Sequence, residues 1–216
     1  MSGRLMKLKD PISSMTHYIG GILAFLFGIP LMIKGFLVSP VYGISAIIFV
    51  IGMLCLYNAS GTYHAIKAKG RLARVLKKLD HSMIFVLIAS SYTPVCLVAL
   101  HNIKGYILLS AAWILALIGV ILKMFVVYHP RWISSVIYIS MGWMCVVLIG
   151  DLFISLSTTA FAWLVAGGVM YTIGGIIYAL KLKAFNSKHR LWGSHEIFHI
   201  FVMLGSACHF VTMYNL

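Results

Sequence analysis

Residues 41–64 read VYGISAIIFVIGMLCLYNASGTYH and contain no Asp, Glu, Lys or Arg. An apolar segment of about 20 residues is long enough to cross the hydrocarbon core of a bilayer as an α-helix. Near the end of this stretch, Ser60 and His64 lie one helical turn apart on the same face. The stretch therefore predicts a membrane-spanning helix that carries polar side chains at one end.

Six further segments of this kind lie along the 216 residues. The composition agrees, because 62% of the residues are hydrophobic and 10% are charged, whereas an ordinary soluble domain has about 25% charged residues. We therefore predict an all-α membrane protein, a seven-transmembrane helix bundle that forms one domain over residues 1–216. The predicted spans are 17–37, 41–64, 81–101, 105–127, 132–152, 159–181 and 195–215.

The basic residues predict how the bundle is oriented. Of the 17 Lys and Arg residues, only Lys34 and Lys104 fall outside the N-terminal tail and the second, fourth and sixth predicted loops. Basic loops stay on the cytoplasmic side, so we predict a cytoplasmic N-terminus and an external C-terminus in a multi-pass protein of the plasma membrane. The residues on the predicted cytoplasmic side are Arg4, Lys7, Lys9, Lys67, Lys69, Arg71, Arg74, Lys77, Lys78, Lys123, Arg131, Lys181, Lys183, Lys188 and Arg190.

The same distribution excludes several functional classes. Nucleic-acid binders concentrate charge on one water-facing surface, whereas here the net charge of +13 is divided among short loops. The predicted orientation is opposite to that of G-protein-coupled receptors. A retinal protein needs a lysine in its last helix, and none follows Lys188.

The basic segment 67–79 leaves two structural alternatives open. Its apolar residues recur at helical spacing opposite its basic residues. This pattern fits a short interfacial helix on anionic headgroups. It equally fits an extension of the third span whose basic side chains reach the interface.

Four polar residues are expected to meet at one depth. The second span ends near His64, the third begins near Asp80, and the seventh begins with His195 and His199 at i and i+4. Because the second span runs towards the cytoplasmic face and the other two run away from it, these groups converge there. Three imidazoles and a water form a tetrahedral zinc site, although copper, nickel or iron also accept imidazole.

The neighbouring polar residues receive lesser roles. Asp80 can accept a hydrogen bond from a bound water or from a ligand histidine, and Ser60 can act similarly. His17 is a candidate supporting residue at the same depth. His81 is expected to point elsewhere on its helix, and solvation suffices to explain Asp10.

Residues 195–199, HEIFH, also match the H-E-x-x-H signature of zinc metalloproteases, in which the Glu is the general base. An intramembrane protease usually takes a third ligand from an aspartate in an LDG-like setting. Here the corresponding residues are Leu79, Asp80 and His81, without the glycine. Glu196 is alternatively an acid that stabilises a helix start.

Four segments carry a family resemblance: DPISSMTHYIGG (10–21), SGTYH (60–64), LDHSMIFVLIASSYTP (79–94) and HEIFHIFVMLGSACHF (195–210). With them, nearly the whole chain resembles the hemolysin III family, the bacterial branch of the progestin and adipoQ receptor (PAQR) superfamily. The resemblance implies zinc bound by His64, His195 and His199, with a water near Asp80. Glu196 departs from many members.

The superfamily is similar to alkaline ceramidases, which suggests a zinc-dependent hydrolase of a lipid amide or ester. In that hypothesis Asp80 is the general base, Ser60 donates a hydrogen bond to the zinc-bound water or the oxyanion, and the lipid enters laterally between helices. A second hypothesis is a regulator or receptor of membrane state with a structural zinc. A third is a pore-forming hemolysin.

Overall fold

The computed structural model describes residues 8–125, 130–189 and 192–216. Within these ranges the structure is helical, and seven helices are long and apolar enough to cross a membrane, which confirms the predicted fold class. The helices are α1 (Pro11–Val38), α2 (Pro40–Ala65), α3 (Gly70–Leu100), α4 (Ile103–Phe125), α5 (Arg131–Ser155), α6 (Thr158–Leu180), the short α7 (Lys183–Lys188) and α8 (Ser194–Tyr214).

Local sequence explains where several helices begin. Proline occupies the first position of α1 and of α2, where its fixed φ suits the helix and its missing N–H is not needed. Ser39 caps α2 by accepting a hydrogen bond from the Tyr42 amide at 3.1 Å. Ser157 caps α6 in the same way, through the Ala160 amide at 3.2 Å.

The largest difference from the predicted spans is at the start of α3. This helix begins at Gly70 rather than near residue 81, so the basic segment extends the third span instead of forming a separate helix. The hydropathy pattern does not predict this extension, because its basic residues lower the mean hydropathy of the segment. Helix α1 likewise begins six residues before the predicted span, and residues 126–127 of the predicted fourth span lie outside the described residues.

Two spans depart from regular α-helical geometry, α3 at its C-terminal end and α5 near its middle. After Pro94, α3 continues as a π-helical segment, Val95–Leu100. In α5 the segment Trp143–Leu148 is a 3-10 helix. The Tyr92 hydroxyl lies 2.9 Å from the Met141 carbonyl and 2.8 Å from the Gly142 carbonyl, to either of which it can donate. It thereby satisfies backbone groups that the break in α5 frees.

Six of the spans form a ring and the seventh lies outside it. Helix α1 packs against α2 and α8, α2 against α3, and α6 against both α5 and α8, while α3 also touches α5. Helix α4 packs on the outer side of α3, and none of its residues lines the interior cavity described below. The outward faces carry exposed Ile, Leu, Val and Phe side chains, as expected for surfaces in contact with lipid.

The ring has two distinct ends. We call the end at which α1 begins the N-terminal face; α2 ends and α3 and α8 begin there. At the opposite end, Lys34 and Tyr42 donate hydrogen bonds to the Tyr214 and Met213 carbonyls, so the last residues of α8 meet the end of α1 and the start of α2. Asp151 lies in the same half and pairs with Lys104 at 2.9 Å.

Candidate metal centre and its cavity

Three histidines meet inside the ring at the N-terminal face. His64 from the end of α2 and His195 and His199 from the start of α8 each offer a ring nitrogen, and these nitrogens lie within 4.8 Å of one another. The Nε2 atoms of His64 and His195 are 3.2 Å apart. The topology therefore brings together the three residues that the sequence predicts as ligands.

Asp10, which precedes α1, and Ser13, in its first turn, contact the Nδ1 atoms of two of these histidines. The Nδ1 of His64 is 2.9 Å from an Asp10 carboxylate oxygen, and the Nδ1 of His199 is 3.3 Å from the Ser13 carbonyl oxygen. Both partners accept a hydrogen bond, so each Nδ1 carries the proton and each Nε2 keeps a free lone pair. The hydrogen bond from His64 holds the pKa of the Asp10 carboxyl below its usual range, although partial burial opposes the shift.

The arrangement suits a zinc ion. Histidine nitrogens bound to one zinc at about 2.0–2.1 Å lie roughly 3.3–3.4 Å apart in tetrahedral geometry, which is close to the His64–His195 separation of 3.2 Å. The third nitrogen lies within 4.8 Å of the other two. The other ring nitrogen of His195, Nδ1, is buried and has no hydrogen-bond partner among the described residues.

Asp80 lies beside this cluster but belongs to a different hydrogen-bonded group. Its carboxylate is buried, interacts with the Ser60 hydroxyl, and lies 3.3 Å from the Nδ1 of His81. The expectation that His81 points elsewhere is therefore wrong. The imidazole lies back along α3, where its Nδ1 is also 3.0 Å from the Lys77 carbonyl, one turn earlier in the helix.

Glu196 and His17, the other candidates from the sequence, also lie near the histidine cluster. Glu196 accepts hydrogen bonds from the Gly193 amide at 2.9 Å and from the Ser13 hydroxyl at 2.7 Å, so it caps the start of α8. These bonds leave it engaged in the backbone cap rather than free to act as a protease base. His17 is buried and stacks on His199 with ring centroids 3.7 Å apart.

Sequence reasoning missed two contributors to the cluster. Asp10 was explained by solvation alone, yet it orients His64, and Ser13 was not considered. The order Asp10, Pro11 gives one usable signal, since it places a carboxylate immediately before a helix start. Ser13 contributes through its backbone carbonyl, which any residue would supply, and so no sequence signal could identify it.

The histidines open onto a cavity of about 820 Å³ enclosed by the ring. At the N-terminal face the cavity is lined by the histidines, by Asp80 and by basic residues. Farther along α3 and α6 it is lined mainly by apolar side chains, among them Leu87, Val95 and Leu164. This volume lies towards the upper end of the range of roughly 300–1,000 Å³ for small-molecule sites, and its two-part lining matches an amphipathic molecule.

Fold and site together define a class: seven-helix membrane proteins with a histidine cluster at one face of the bundle. The family model for haemolysin-III related proteins matches residues 6–210, and the chain belongs to that family. A protein named hemolysin-3 homolog from Bacillus subtilis (strain 168) is 35% identical over 212 residues, which cover 95% of this chain and 93% of the relative.

Two further relatives place the family in context. A protein named hemolysin-3 from Bacillus cereus is 34% identical over 209 residues, covering 94% of this chain and 90% of that protein. An adiponectin receptor protein from Drosophila melanogaster is 26% identical over 177 residues, covering 75% of this chain and 40% of the receptor. The receptor match supports the PAQR superfamily predicted from the sequence.

Proposed function

We propose that this protein binds one zinc ion through His64, His195 and His199 and hydrolyses an amide or ester bond of a membrane lipid. The observation that carries the proposal is the convergence of three imidazoles on a lipid-sized cavity inside a membrane bundle. Three neutral nitrogen ligands with one open position are the pattern of catalytic rather than structural zinc. We further propose that the N-terminal face is cytoplasmic and that the membrane is the plasma membrane.

Bound zinc would supply Lewis acidity, polarising a substrate carbonyl and lowering the pKa of a water to about 7. The chain's own residues do the rest. The carboxylate of Asp80 accepts the proton of the attacking water and returns it to the leaving group. The apolar part of the cavity holds the acyl chain and excludes bulk water from the reaction.

Ser60 has one hydroxyl proton, and its hydroxyl interacts with the Asp80 carboxylate. Donation to the oxyanion would require Ser60 to turn away from that carboxylate. We therefore propose that Ser60 is mainly a positioning residue, which keeps the Asp80 carboxylate aimed at the cavity. The lipid is proposed to enter laterally between helices, because the outer surface of the ring contacts lipid directly.

Metal content tests the first half of the proposal. Elemental mass spectrometry of the purified protein should find about one zinc per chain, lost in His64→Ala, His195→Ala and His199→Ala. His101→Ala is the matched control, because His101 is an exposed histidine at the opposite end of the ring. Wild-type protein that neither contains zinc nor binds added zinc would refute the metal site.

Lipid turnover tests the second half. Wild-type protein should release fatty acid from an N-acylsphingosine or an acyl-ester lipid in mixed micelles, and Asp80→Asn should abolish release while retaining zinc. If Asp80→Asn hydrolyses lipid at the wild-type rate, the role of Asp80 is wrong. If zinc is bound but no amide or ester is cleaved, a regulator with a structural zinc becomes the better description. The hemolysin name of the relatives suggests a pore, which would predict dye leakage from liposomes.

A further inference from the structure

The polar end of the cavity is surrounded by positive charge from four different elements. Lys9 precedes α1, Lys77 lies in the second turn of α3, Arg131 begins α5 and Lys181 follows α6, and all four line the cavity. We call these four residues the basic rim. Lys77 lies within electrostatic range of Arg131 and Lys9, so like charges have been gathered at one opening.

The three acidic residues at the N-terminal face interact mainly with residues outside the basic rim. The chain contains only four acids, and Asp151 lies at the opposite end of the ring. Asp10 is bonded to His64 and lies 3.4 Å from Lys9. Asp80 is held by Ser60 and His81, and Glu196 caps α8.

Arg131 and Lys181 keep their positive charge available to the cavity. The Arg131 guanidinium lies over the ring of Tyr178, 5.2 Å from its centroid, a contact that leaves its edge groups open to an anion. Lys181 lies exposed at the end of α6. Among the described residues, no carboxylate forms an ion pair with Arg131 or Lys181.

From this we infer that the cavity binds a lipid with an anionic phosphate headgroup. The phosphate lies at the basic rim, the acyl ester lies beside the histidines, and the chain occupies the apolar part lined by residues such as Leu87 and Leu164. Guanidinium and ammonium groups are the usual partners of phosphate. The order of rim, histidines and apolar lining matches the order of phosphate, ester and chain in a glycerophospholipid.

This inference rests on the proposed function, because it names the substrate class of the same site. The implied reaction is balanced by water alone. The water oxygen forms a bond to the ester carbon, the bond from that carbon to the glycerol oxygen breaks, and a proton passes to the glycerol oxygen. The products are a fatty acid and a lysophospholipid.

Lipid retention tests the binding step without turnover. The purified full chain in neutral detergent is offered equal amounts of dioleoylphosphatidylglycerol and dioleoylphosphatidylcholine, and bound lipid is counted by native mass spectrometry. Wild type should retain the anionic lipid preferentially. Arg131→Gln with Lys181→Gln should weaken that retention about fivefold for each charge removed.

Two matched variants separate the cavity from general surface attraction. Arg71→Gln with Arg74→Gln removes the same charge from exposed positions near the start of α3 that do not line the cavity, and it should leave retention unchanged. Arg131→Lys with Lys181→Arg keeps the charge and should retain the lipid, because the positive charge rather than the particular side chain holds the headgroup. Equal retention of both lipids by wild type, or equal losses in the two neutralising variants, would overturn the inference.

Two further experiments distinguish lipid phosphate from free phosphate, and lipid binding from the proposed zinc-dependent hydrolysis. Inorganic phosphate in excess, at constant ionic strength, should not release the lipid; release would identify a site for free phosphate and refute the lipid. His64→Ala with His199→Ala should keep the lipid preference although it cannot hold metal. Zinc-dependent hydrolysis at a rate independent of headgroup charge would refute this inference and leave the proposed function standing. A preference for the anionic headgroup without zinc binding or turnover would refute the proposed function and leave the binding site standing.

Discussion

Asp10 offers a direct test of how the histidine cluster is held. We expect Asp10→Ala to weaken zinc binding, because the carboxylate fixes the proton on Nδ1 of His64 and presents Nε2 to the metal. A hydrogen bond to a charged group contributes about 1.5–3 kcal/mol. The Asp10 side chain is 39% exposed, so solvent screening places the effect at the low end, which corresponds to a roughly 10–30-fold rise in Kd.

The asparagine variant refines the prediction. Asp10→Asn keeps an acceptor oxygen but loses the charge, and since neutral hydrogen bonds are about half as strong, its Kd should rise only about fivefold. The control is Asp151→Asn, whose side chain is 34% exposed and pairs with Lys104 at the opposite end of the ring. Its Kd should match that of wild type.

The assay is competition for zinc against a chromophoric chelator, with the thermal unfolding of the zinc-free proteins measured in parallel. The parallel measurement separates a loss of metal affinity from a loss of folded protein. If Asp10→Ala binds zinc within about twofold of wild type, which is under 0.5 kcal/mol, then His64 does not depend on Asp10 and the proton assignment is wrong.

Three further predictions concern stability, measured as thermal unfolding in detergent. Gly167→Ala should lower the free energy of unfolding by about 1–3 kcal/mol, because a Cβ there would lie 2.2 Å from Cδ2 of His209. The control is Gly150→Ala, whose Cβ meets nothing within 4 Å and which should be neutral or slightly stabilising. Tyr92→Phe should lower the free energy of unfolding by about 1–3 kcal/mol, because it leaves buried backbone groups of α5 without their partner. The control is Tyr106→Phe at an exposed position, and equal Tm values for the two variants would contradict the reasoning. Ser13→Ala should lower stability by about 1 kcal/mol yet leave the zinc Kd unchanged, since the carbonyl that accepts from His199 remains; a large rise in Kd would mean that the hydroxyl matters to the metal.

Hydropathy and charge were sufficient to predict the seven spans, because lipid imposes length and composition on each one separately. The convergence of His64, His195 and His199 was also predictable, since the alternating direction of the spans fixes which helix ends share a face. The start of α3 was not, because a basic amphipathic stretch is equally consistent with an interfacial helix.

Other features depend on contacts between distant residues and leave no local pattern. The 3-10 segment of α5 is accommodated by Tyr92 of another helix. The carbonyl of Ser13 acts through the backbone, and His81 turns towards Asp80 through a side-chain rotamer that spacing does not reveal. These are the details that decide proton positions and the shape of the cavity.

The support of the histidine cluster joins opposite ends of the chain. Ser13 accepts from His199 across 186 residues and donates to Glu196 across 183 residues. During synthesis α1 therefore enters the membrane long before its partners on α8 leave the ribosome. The cluster cannot assemble before α8 has been synthesised, so any truncated product that lacks α8 would be inserted in the membrane without His195 and His199.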